Sequence, residues 1–339
     1  MSRTIEHIKE KVIDATLRMP LREWNWSEGV ALYGLTALWE RDRQDRIDVY
    51  LQAWYEDQLK GEIPNTINAT APWAALLKLK GARDEANEYD PRLRERVEYL
   101  LRHSRRLKNG AYEHTLMETT FNNQMWVDTL FMAGLFLTEA GLRLRNEEAI
   151  KEGLRQFKVH VEALQQDNGL FYHGWDEGRG TVIGCMWARG NAWAAVVAIE
   201  LLRIVPHTYV AERQAIIEVL NKQLKSLQAY QDVSGLWTKV ITEPDTYTES
   251  SAAAGIAYAV LRGIRDGVID PSFVDMGLRA FRSVCALVDY DGVLRCVSSG
   301  TAVQSHPDEY HVIARDRMEG YGQGLLLLML SEAGEDMKS

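Results

Sequence analysis

The feature that most limits how this chain can fold is a regular alternation of two kinds of predicted helix. One kind has a polar face and an apolar face, and the other is apolar on almost every side. A helix without a polar face must be buried, so each apolar helix needs neighbours that cover it. The alternation gives twelve predicted helices in six pairs. The polar-faced helices are predicted at 5–18, 43–59, 91–107, 147–165, 211–230 and 271–288, and the apolar helices at 27–40, 68–79, 122–137, 187–204, 249–264 and 320–333.

The loops before four of the apolar helices repeat a second pattern, a glycine beside an aromatic or aliphatic residue. These loops read LKNGAYEH, QDNGLFYH, DVSGLWTK and DYDGVLRC, and their glycines are separated by 59, 66 and 57 residues. Such self-similarity is typical of repeat architectures. An open array would need polar capping repeats at both ends, but the last helix, GYGQGLLLLML, is among the most apolar. We therefore predict a closed all-α (α/α)6 barrel whose inner helices run parallel and start at one end.

Composition limits the functions that this chain can have. The 339 residues carry a net charge of −9, whereas a general nucleic-acid surface needs clustered Lys and Arg. Three cysteines, Cys185, Cys285 and Cys296, favour a reducing compartment over a disulfide framework. The first residues form an amphipathic pattern rather than a signal peptide, and no stretch approaches the roughly 18 apolar residues of a membrane span. We predict one cytoplasmic domain over 1–339, with no nucleic-acid or membrane partner.

Asp128 is the one carboxylate in the apolar stretch 122–137. Burying a carboxylate is unfavourable unless the group is hydrogen-bonded, paired or protonated. Asp128 is therefore either a structural residue that accepts bonds from a nearby loop, or a general acid with a raised pKa. Burial beside Trp126 raises the pKa of Asp128 and a helix N-terminus lowers it. We expect the effect of burial to be the larger one.

A second candidate is the arginine in the nearly apolar segment CMWARGNAWAA. Arg189 and Trp193 are four residues apart and share one helix face. A guanidinium group stays charged, so in this setting it must meet an anion. The anion is either a ligand carboxylate or a structural partner, for which the candidates are Asp128, Asp176 and Glu177.

Histidines and tryptophans supply the remaining candidates. His173, in FYHGWDE, is either a structural residue or a donor or proton shuttle for a substrate, and His114 ends the equivalent earlier loop. Tryptophans near predicted helix starts either pack in the core or form a stacking surface for sugar rings. The chain has no HExxH or CxxC motif, so we expect no metal site.

Three segments in order, NQMWVDTLFMAGLFL, FYHGWD and MWARGNAW, resemble one family of enzymes. They are similar to the unsaturated rhamnogalacturonyl hydrolases of glycoside hydrolase family 105 and, more distantly, to the unsaturated glucuronyl hydrolases of family 88. The resemblance extends over most of the chain and implies an (α/α)6 barrel. It also implies that Asp128 is the main catalytic residue. The substrate contacts that it implies are His173, Trp187, Arg189 and Trp193.

The chain departs from that family's pattern at two places. Members often carry a second Asp on the second inner helix, where this chain reads PNTINATAP, so that Asn65, Thr66 or Asn68 replaces it. A Tyr that is often found in the first inner hairpin corresponds to Trp26. The further predicted substrate-binding residues are therefore Asn65, Asn68, Trp26, Trp126 and His114.

The activity that the resemblance implies needs one carboxylic acid. Pectin lyases leave a non-reducing-end uronic acid with a C4=C5 double bond next to the ring oxygen, which is a vinyl ether. Asp128 would protonate C4 and then accept a proton from the water that adds at C5. The expected partner is a short oligosaccharide with an unsaturated uronyl residue. We expect no cofactor, and either a monomer or a homodimer.

Two other functions are compatible with the same toroid. A sugar epimerase or isomerase would need a pair of histidines as acid and base, and His173 has few convincing partners. A non-catalytic carbohydrate-binding protein would behave the same after Asp128→Asn replacement. Proton exchange on a saturated sugar would favour the first, and unchanged behaviour of that variant would favour the second.

Overall fold

The computed structural model describes residues 4–83, 90–114, 121–315 and 317–334. The α-helices in these ranges are α1 (Ile5–Leu17), α2 (Trp26–Asp42), α3 (Asp45–Gln58), α4 (Ala71–Arg83), α5 (Asp90–Arg102), α6 (Phe136–Leu144), α7 (Glu147–Leu164), α8 (Ala188–Ile204), α9 (Val210–Tyr230), α10 (Ser250–Arg265), α11 (Val274–Ala286), α12 (Asp308–His311) and α13 (Gly320–Leu330). The strands are β1 (Gln124–Trp126), β2 (Gly174–Asp176) and β3 (Thr181–Ile183), which form one antiparallel sheet in the order β1-β2-β3.

Six helices form a closed inner ring. Helix α2 packs on α4, α4 on α6, α6 on α8, α8 on α10, α10 on α13, and α13 again on α2. Helices α1, α3, α5, α7, α9 and α11 each pack against an inner helix from the outside. Nearly every side chain of α8, α10 and α13 is buried, as expected for helices without a polar face. The predicted (α/α)6 barrel is confirmed.

Contacts at the two ends of the ring show that the inner helices share one direction. At one end, Trp26 at the start of α2 stacks on Tyr321 at the start of α13, with ring centroids 4.6 Å apart. At the other end, Lys78 of α4 pairs with Glu200 of α8, with Nζ 3.2 Å from Oε2. Helix starts therefore gather at one end of the barrel, and polar loops can bring functional side chains there.

The four repeated glycines form equivalent tight turns. Their φ angles are +83°, +86°, +83° and +86° for Gly110, Gly169, Gly235 and Gly292. This left-handed conformation favours glycine because it has no Cβ. Each turn rests against the next outer helix, and the nearest neighbours are Arg155 of α7, Lys222 of α9, Ser283 of α11 and Lys11 of α1. The last contact joins the turn after α11 to the first helix, α1, and closes the outer layer.

Replacing Gly292 with alanine is expected to destabilise the protein more than replacing Gly267. Both glycines have positive φ, +86° and +68°, so each alanine adds about 1–2 kcal/mol of backbone strain. A Cβ at Gly292 would lie 2.1 Å from the Lys11 carbonyl oxygen, whereas a Cβ at Gly267 would meet nothing within 4 Å. The clash at Gly292 should lower the free energy of unfolding by about 1–3 kcal/mol more. Urea denaturation of both variants measures this difference. Equal losses in both variants would show that this turn does not press on α1.

The helix predicted at 122–137 is wrong in its first half. Residues 124–126 form β1, in which Trp126 lies opposite Gly174 of β2. The helical part starts after Asp128 with a π-helical segment, Leu130–Leu135, and continues as α6. An apolar run alone does not separate a buried strand from a buried helix, and β1 exists because β2 is present to pair with it. Asp128 therefore lies in the turn that joins β1 to the helix.

The other predicted helices are confirmed, with shifts at their ends. For example, α2 begins at Trp26 because the Asn25 side chain, rather than that of Ser27, accepts a hydrogen bond from the Trp26 N–H. Cys185, Cys285 and Cys296 form no disulfide with one another. None of the helices in the described ranges is long and apolar enough to cross a membrane.

Candidate active site

Two strands place Asp128 and His173 side by side. The pairing of β1 with β2 extends by one residue, because Val127 N donates to the His173 carbonyl over 2.8 Å. His173 N donates in turn to the Cys185 carbonyl over 2.9 Å, so the backbone of His173 is held on both sides. As a result, His173 Nε2 lies 3.4 Å from Asp128 Oδ2. Two side chains from separate repeats thus meet at the end where the inner helices start.

Aromatic rings surround this pair. The centres of the Trp187 and His173 rings are 4.2 Å apart, with 33° between the ring planes. The centres of the Trp126 and His173 rings are 5.5 Å apart, with 60° between the planes. His114 stacks on Trp126, with centroids 4.4 Å apart and planes 16° apart. The Asp128 side chain keeps 13% of its surface exposed while that of His173 has none. The carboxylate is therefore the part of the pair that solvent reaches.

The pKa of Asp128 lies below its ordinary value, so our expectation was wrong. Burial raises the pKa of this carboxyl, but the contact with His173 and the electrostatic effects of His173, His114 and Arg189 lower it by more. Those groups lie outside the stretch 122–137 from which the expectation was formed. Asp128 is therefore ionised in the free protein near neutral pH.

Both histidines of the cluster are neutral near pH 7. Burial lowers the pKa of His173 below its ordinary value, and this effect exceeds the opposite effect of Asp128. Burial also lowers the pKa of His114 to about 4. Neutral imidazole has one N–H donor, so the tautomer of His173 decides whether Nε2 can donate to the Asp128 carboxylate.

Arg189 faces the interior of the protein. Its side chain is fully buried, and its Nη1 lies 3.5 Å from Glu249 Oε1 and donates to the Ser298 hydroxyl over 2.7 Å. A buried guanidinium with a buried carboxylate satisfies the need for an anion that the sequence indicated. The ion pair is with Glu249, and not with one of the partners predicted from sequence, Asp128, Asp176 and Glu177.

Trp193 and Trp26 lie outside the cluster around Asp128. Trp193 is fully buried and its ring lies 5.2 Å from that of Phe131, which is a core position. Trp26 stacks on Tyr321, and the Arg189 guanidinium lies 4.5 Å from the centre of the Tyr321 ring. Trp26 is therefore at the same end of the barrel as Asp128, on the far side of Tyr321.

Asn65 and Asn68 lie in the loop before α4. The Asn65 side chain is exposed and its Oδ1 accepts from Arg96 Nη1 over 3.0 Å. Asn68 begins a 3₁₀ turn, Asn68–Thr70, ahead of α4. In the part of the chain that the structure describes, neither asparagine hydrogen-bonds to Asp128 or His173. The two residues line neighbouring surface cavities of about 590 Å³ each.

Three residues of the site were not predicted from the sequence: Tyr310, Glu249 and Lys239. The Tyr310 hydroxyl lies 2.7 Å from His173 Nδ1. Lys239 is buried, and burial together with nearby Arg189 lowers its pKa to about 7. Glu249 stands at the start of an apolar helix, and the criterion that selected Asp128 would also have selected it. Tyr310 had no comparable signal, because it lies in a segment outside the six helix pairs.

A second buried polar cluster occupies the opposite end of the ring. Glu200 is 1% exposed and accepts hydrogen bonds from the Tyr33 and Tyr258 hydroxyls and from Lys78 Nζ. Burial raises the pKa of Glu200, but Arg203, Lys78 and the two hydroxyls lower it well below its ordinary range. Because protein groups occupy its oxygens, this carboxylate is a structural centre that ties the ends of the inner helices together.

The closed (α/α)6 ring, with one ionised carboxylate among aromatic rings where its inner helices start, is the architecture of a toroidal glycoside hydrolase. The sequence profile described as Glycosyl Hydrolase Family 88 matches residues 1–335. The chain belongs to this family and is an enzyme of the glycoside hydrolase class.

Individual relatives agree with this assignment. The unsaturated rhamnogalacturonyl hydrolase YesR of Bacillus subtilis (strain 168) is 33% identical over 333 residues, which cover 97% of this chain and 94% of that protein. The crystal structure of a possible GH105 family member from Salmonella enterica has a TM-score of 0.91 and 27% identity, covering 98% of this chain and 94% of its own. The unsaturated glucuronyl hydrolase from Bacillus sp. GL1 shares the fold, with a TM-score of 0.74, 15% identity and 96% of each chain covered.

Proposed function

We propose that this enzyme removes an unsaturated uronic acid from the non-reducing end of short lyase products, such as those of rhamnogalacturonan. The observation that carries the proposal is one carboxylate, Asp128, 3.4 Å from His173 Nε2 and surrounded by aromatic rings. Hydrolysis at an anomeric carbon ordinarily uses two carboxyl groups roughly 5–10 Å apart. The groups that act on Asp128 are instead His173, His114 and Arg189. The kinship with YesR supports the same substrate class.

The reaction needs one acid because the double bond makes C4 basic. Asp128 in its acid form donates its proton to C4, and the ring oxygen stabilises the cation that forms at C5. Water adds to C5 and gives up a proton to the Asp128 carboxylate, which restores the acid. The resulting hemiketal opens by cleavage of the bond between C5 and the ring oxygen. The hemiacetal left at C1 then collapses and releases the rest of the chain, so one water is consumed.

Substrate binding supplies the protonated form of Asp128. The free enzyme holds this carboxyl ionised, whereas the first step needs it as an acid. A bound uronate brings a second negative charge and excludes water, and both effects raise the pKa of a neighbouring carboxyl. The proton is thus taken up when the substrate is in place, where it can be transferred to C4.

The other predicted residues divide by their positions. The side chains of His173, Trp126 and Trp187 are almost fully buried, so we assign them to positioning Asp128. We assign a stacking surface for the sugar to the outer, partly exposed Trp26. His114 and Arg189 act on Asp128 through their charge or dipole, and Trp193 supports the helix behind them. Asn65 and Asn68 would meet the part of the substrate that follows the scissile bond. We infer that residues 1–339 act as one catalytic domain.

Purified protein should consume unsaturated rhamnogalacturonan disaccharide, with loss of the ultraviolet absorbance of its C4=C5 bond. The matched control is the same disaccharide after reduction of that bond, which should remain intact because it has no vinyl ether to protonate. Unsaturated glucuronyl disaccharides, tested in parallel, define the preference for the sugar that follows. Inactivity on every unsaturated substrate would contradict the proposal. Solvent proton exchange into a saturated sugar would instead indicate an epimerase or isomerase.

A further inference from the structure

A buried tyrosine completes the hydrogen bonding of His173 on the side away from Asp128. The Tyr310 hydroxyl lies 2.7 Å from His173 Nδ1, and the Tyr310 side chain is fully buried. The same oxygen accepts a hydrogen bond from Gln304 N over 3.2 Å. Because a backbone N–H can only donate, the proton of the hydroxyl is available to Nδ1. His173 then carries its own ring proton on Nε2, the atom that faces Asp128.

The main chain around His173 is shaped to admit this hydroxyl. Gly184 has a φ of +77°, and a Cβ at this position would lie 2.5 Å from the Tyr310 hydroxyl oxygen and 3.1 Å from His173 Cβ. A side chain there would displace one of the two partners. The next residue, Cys185, uses its carbonyl to hold His173 N. Glycine is therefore needed at 184 both for its conformation and for the close approach of Tyr310.

We propose that Tyr310 is a positioning residue that directs the catalytic proton to Asp128. The free pair consists of neutral His173 and ionised Asp128, and one proton must be added before C4 can be protonated. That proton has two possible acceptors, the Asp128 carboxylate and His173 Nδ1. The hydrogen bond donated by Tyr310 occupies Nδ1, so the proton goes to the carboxylate. The kinetic consequence rests on the proposed function, whereas the tautomer of His173 does not.

The charged groups around the pair do not by themselves decide where the proton goes. Asp128, from the turn after β1, favours a cationic His173, and Arg189 of α8 and Lys239 of the loop before α10 disfavour it. His114, from the loop before β1, acts on Asp128. The Cys185 thiol beside Tyr310 stays protonated, because burial raises its pKa. These opposed influences leave the hydrogen bond at Nδ1 as the contact that separates the two acceptors.

Tyr310→Phe tests the proposal because it removes the hydroxyl and keeps the ring. In the wild-type protein, nitrogen NMR of labelled histidines, assigned by comparison with His173→Gln, should show a proton on Nε2 and none on Nδ1 of His173. In Tyr310→Phe, His173 should become cationic at pH values where it is neutral in the wild type. The kcat should fall about 10- to 100-fold, with KM within about twofold, because the proton is withheld from Asp128.

Tyr247→Phe is the matched control. The Tyr247 hydroxyl donates to the Ile313 carbonyl over 3.0 Å, so this variant loosens the segment that carries Tyr310 without touching His173. It should keep the wild-type tautomer and pH profile. Gly184→Ala should change the protonation of His173 and the pH profile in the same sense as Tyr310→Phe. It serves as a second variant if Tyr310→Phe does not fold.

Three results would overturn the proposal. One is a wild-type His173 with its proton on Nδ1, and another is an unchanged tautomer and pH profile in Tyr310→Phe. The third is the same change in Tyr247→Phe, which would reveal general loosening of the segment. If no substrate is turned over, the proposed function fails, but the NMR comparison still decides the role of Tyr310.

Discussion

Asp128→Asn is expected to lower kcat on unsaturated disaccharides about 1,000-fold, within the range for loss of a general acid. An amide can neither protonate C4 nor accept the proton of the attacking water. The fold should be unaffected, because the Asp128 side chain is partly exposed and its contact with His173 is long, at 3.4 Å. Substrate should still bind, since removal of a negative charge favours a uronate. Initial rates from the absorbance of the double bond, and calorimetric binding, measure both quantities.

Asp176→Asn is the matched control for this variant. Asp176 belongs to β2 in the same small sheet, and its carboxylate accepts from Arg179 N over 3.0 Å. The replacement removes the same charge close to the same sheet without touching His173. Its kcat should stay within a few-fold of wild type. Comparable losses in both variants would mean that net charge at this end of the barrel, and not proton transfer by Asp128, governs the rate.

Arg189→Met is expected to lower the free energy of unfolding by about 3–5 kcal/mol, the usual effect of removing one partner of a buried ion pair. Arg189 and Glu249 are both fully buried, so the variant leaves the Glu249 carboxylate in the core without its guanidinium partner. Methionine fills much of the volume of the arginine stem, which keeps the cavity contribution small. Urea denaturation monitored by tryptophan fluorescence and circular dichroism measures the loss.

Two further variants separate this structural role from a substrate clamp. Glu249→Gln combined with Arg189→Met should recover part of the lost stability, because the carboxylate that has lost its guanidinium partner is then replaced by a neutral amide. Arg179→Met, at a largely exposed arginine, controls for loss of positive charge and should change stability by less than about 1 kcal/mol. If Arg189→Met instead keeps its stability and raises KM, Arg189 binds the substrate carboxylate directly and the interior role is wrong.

The barrel could be predicted because the signals for it are local. Each apolar helix indicates by its own composition that it must be covered, and four glycines mark turns of one kind. The exception, the stretch 122–137, shows the limit of such signals. Its apolar run was compatible with helix or strand, and the choice was made by β2, a partner from the next repeat.

The candidate site could be predicted only as a set of unusual residues. Asp128, Arg189 and His173 were identifiable because polar groups in apolar surroundings need partners. The partners themselves were not identifiable. Tyr310 is 137 positions from His173 and Glu249 is 60 positions from Arg189, and no local pattern links residues that far apart.

By itself, the sequence determined the order and pairing of the helices of the barrel, the closure of the ring and the family of the enzyme. The order, pairing and closure of the helices follow from periodicity and burial, which are properties of short segments, and the family follows from three segments that resemble it. Only the tertiary structure decided that Asp128 is ionised, that Arg189 pairs with Glu249 and that Tyr310 contacts His173. Electrostatic interactions depend on the distances between charges and on their exposure to solvent, and here those distances join atoms from different repeats.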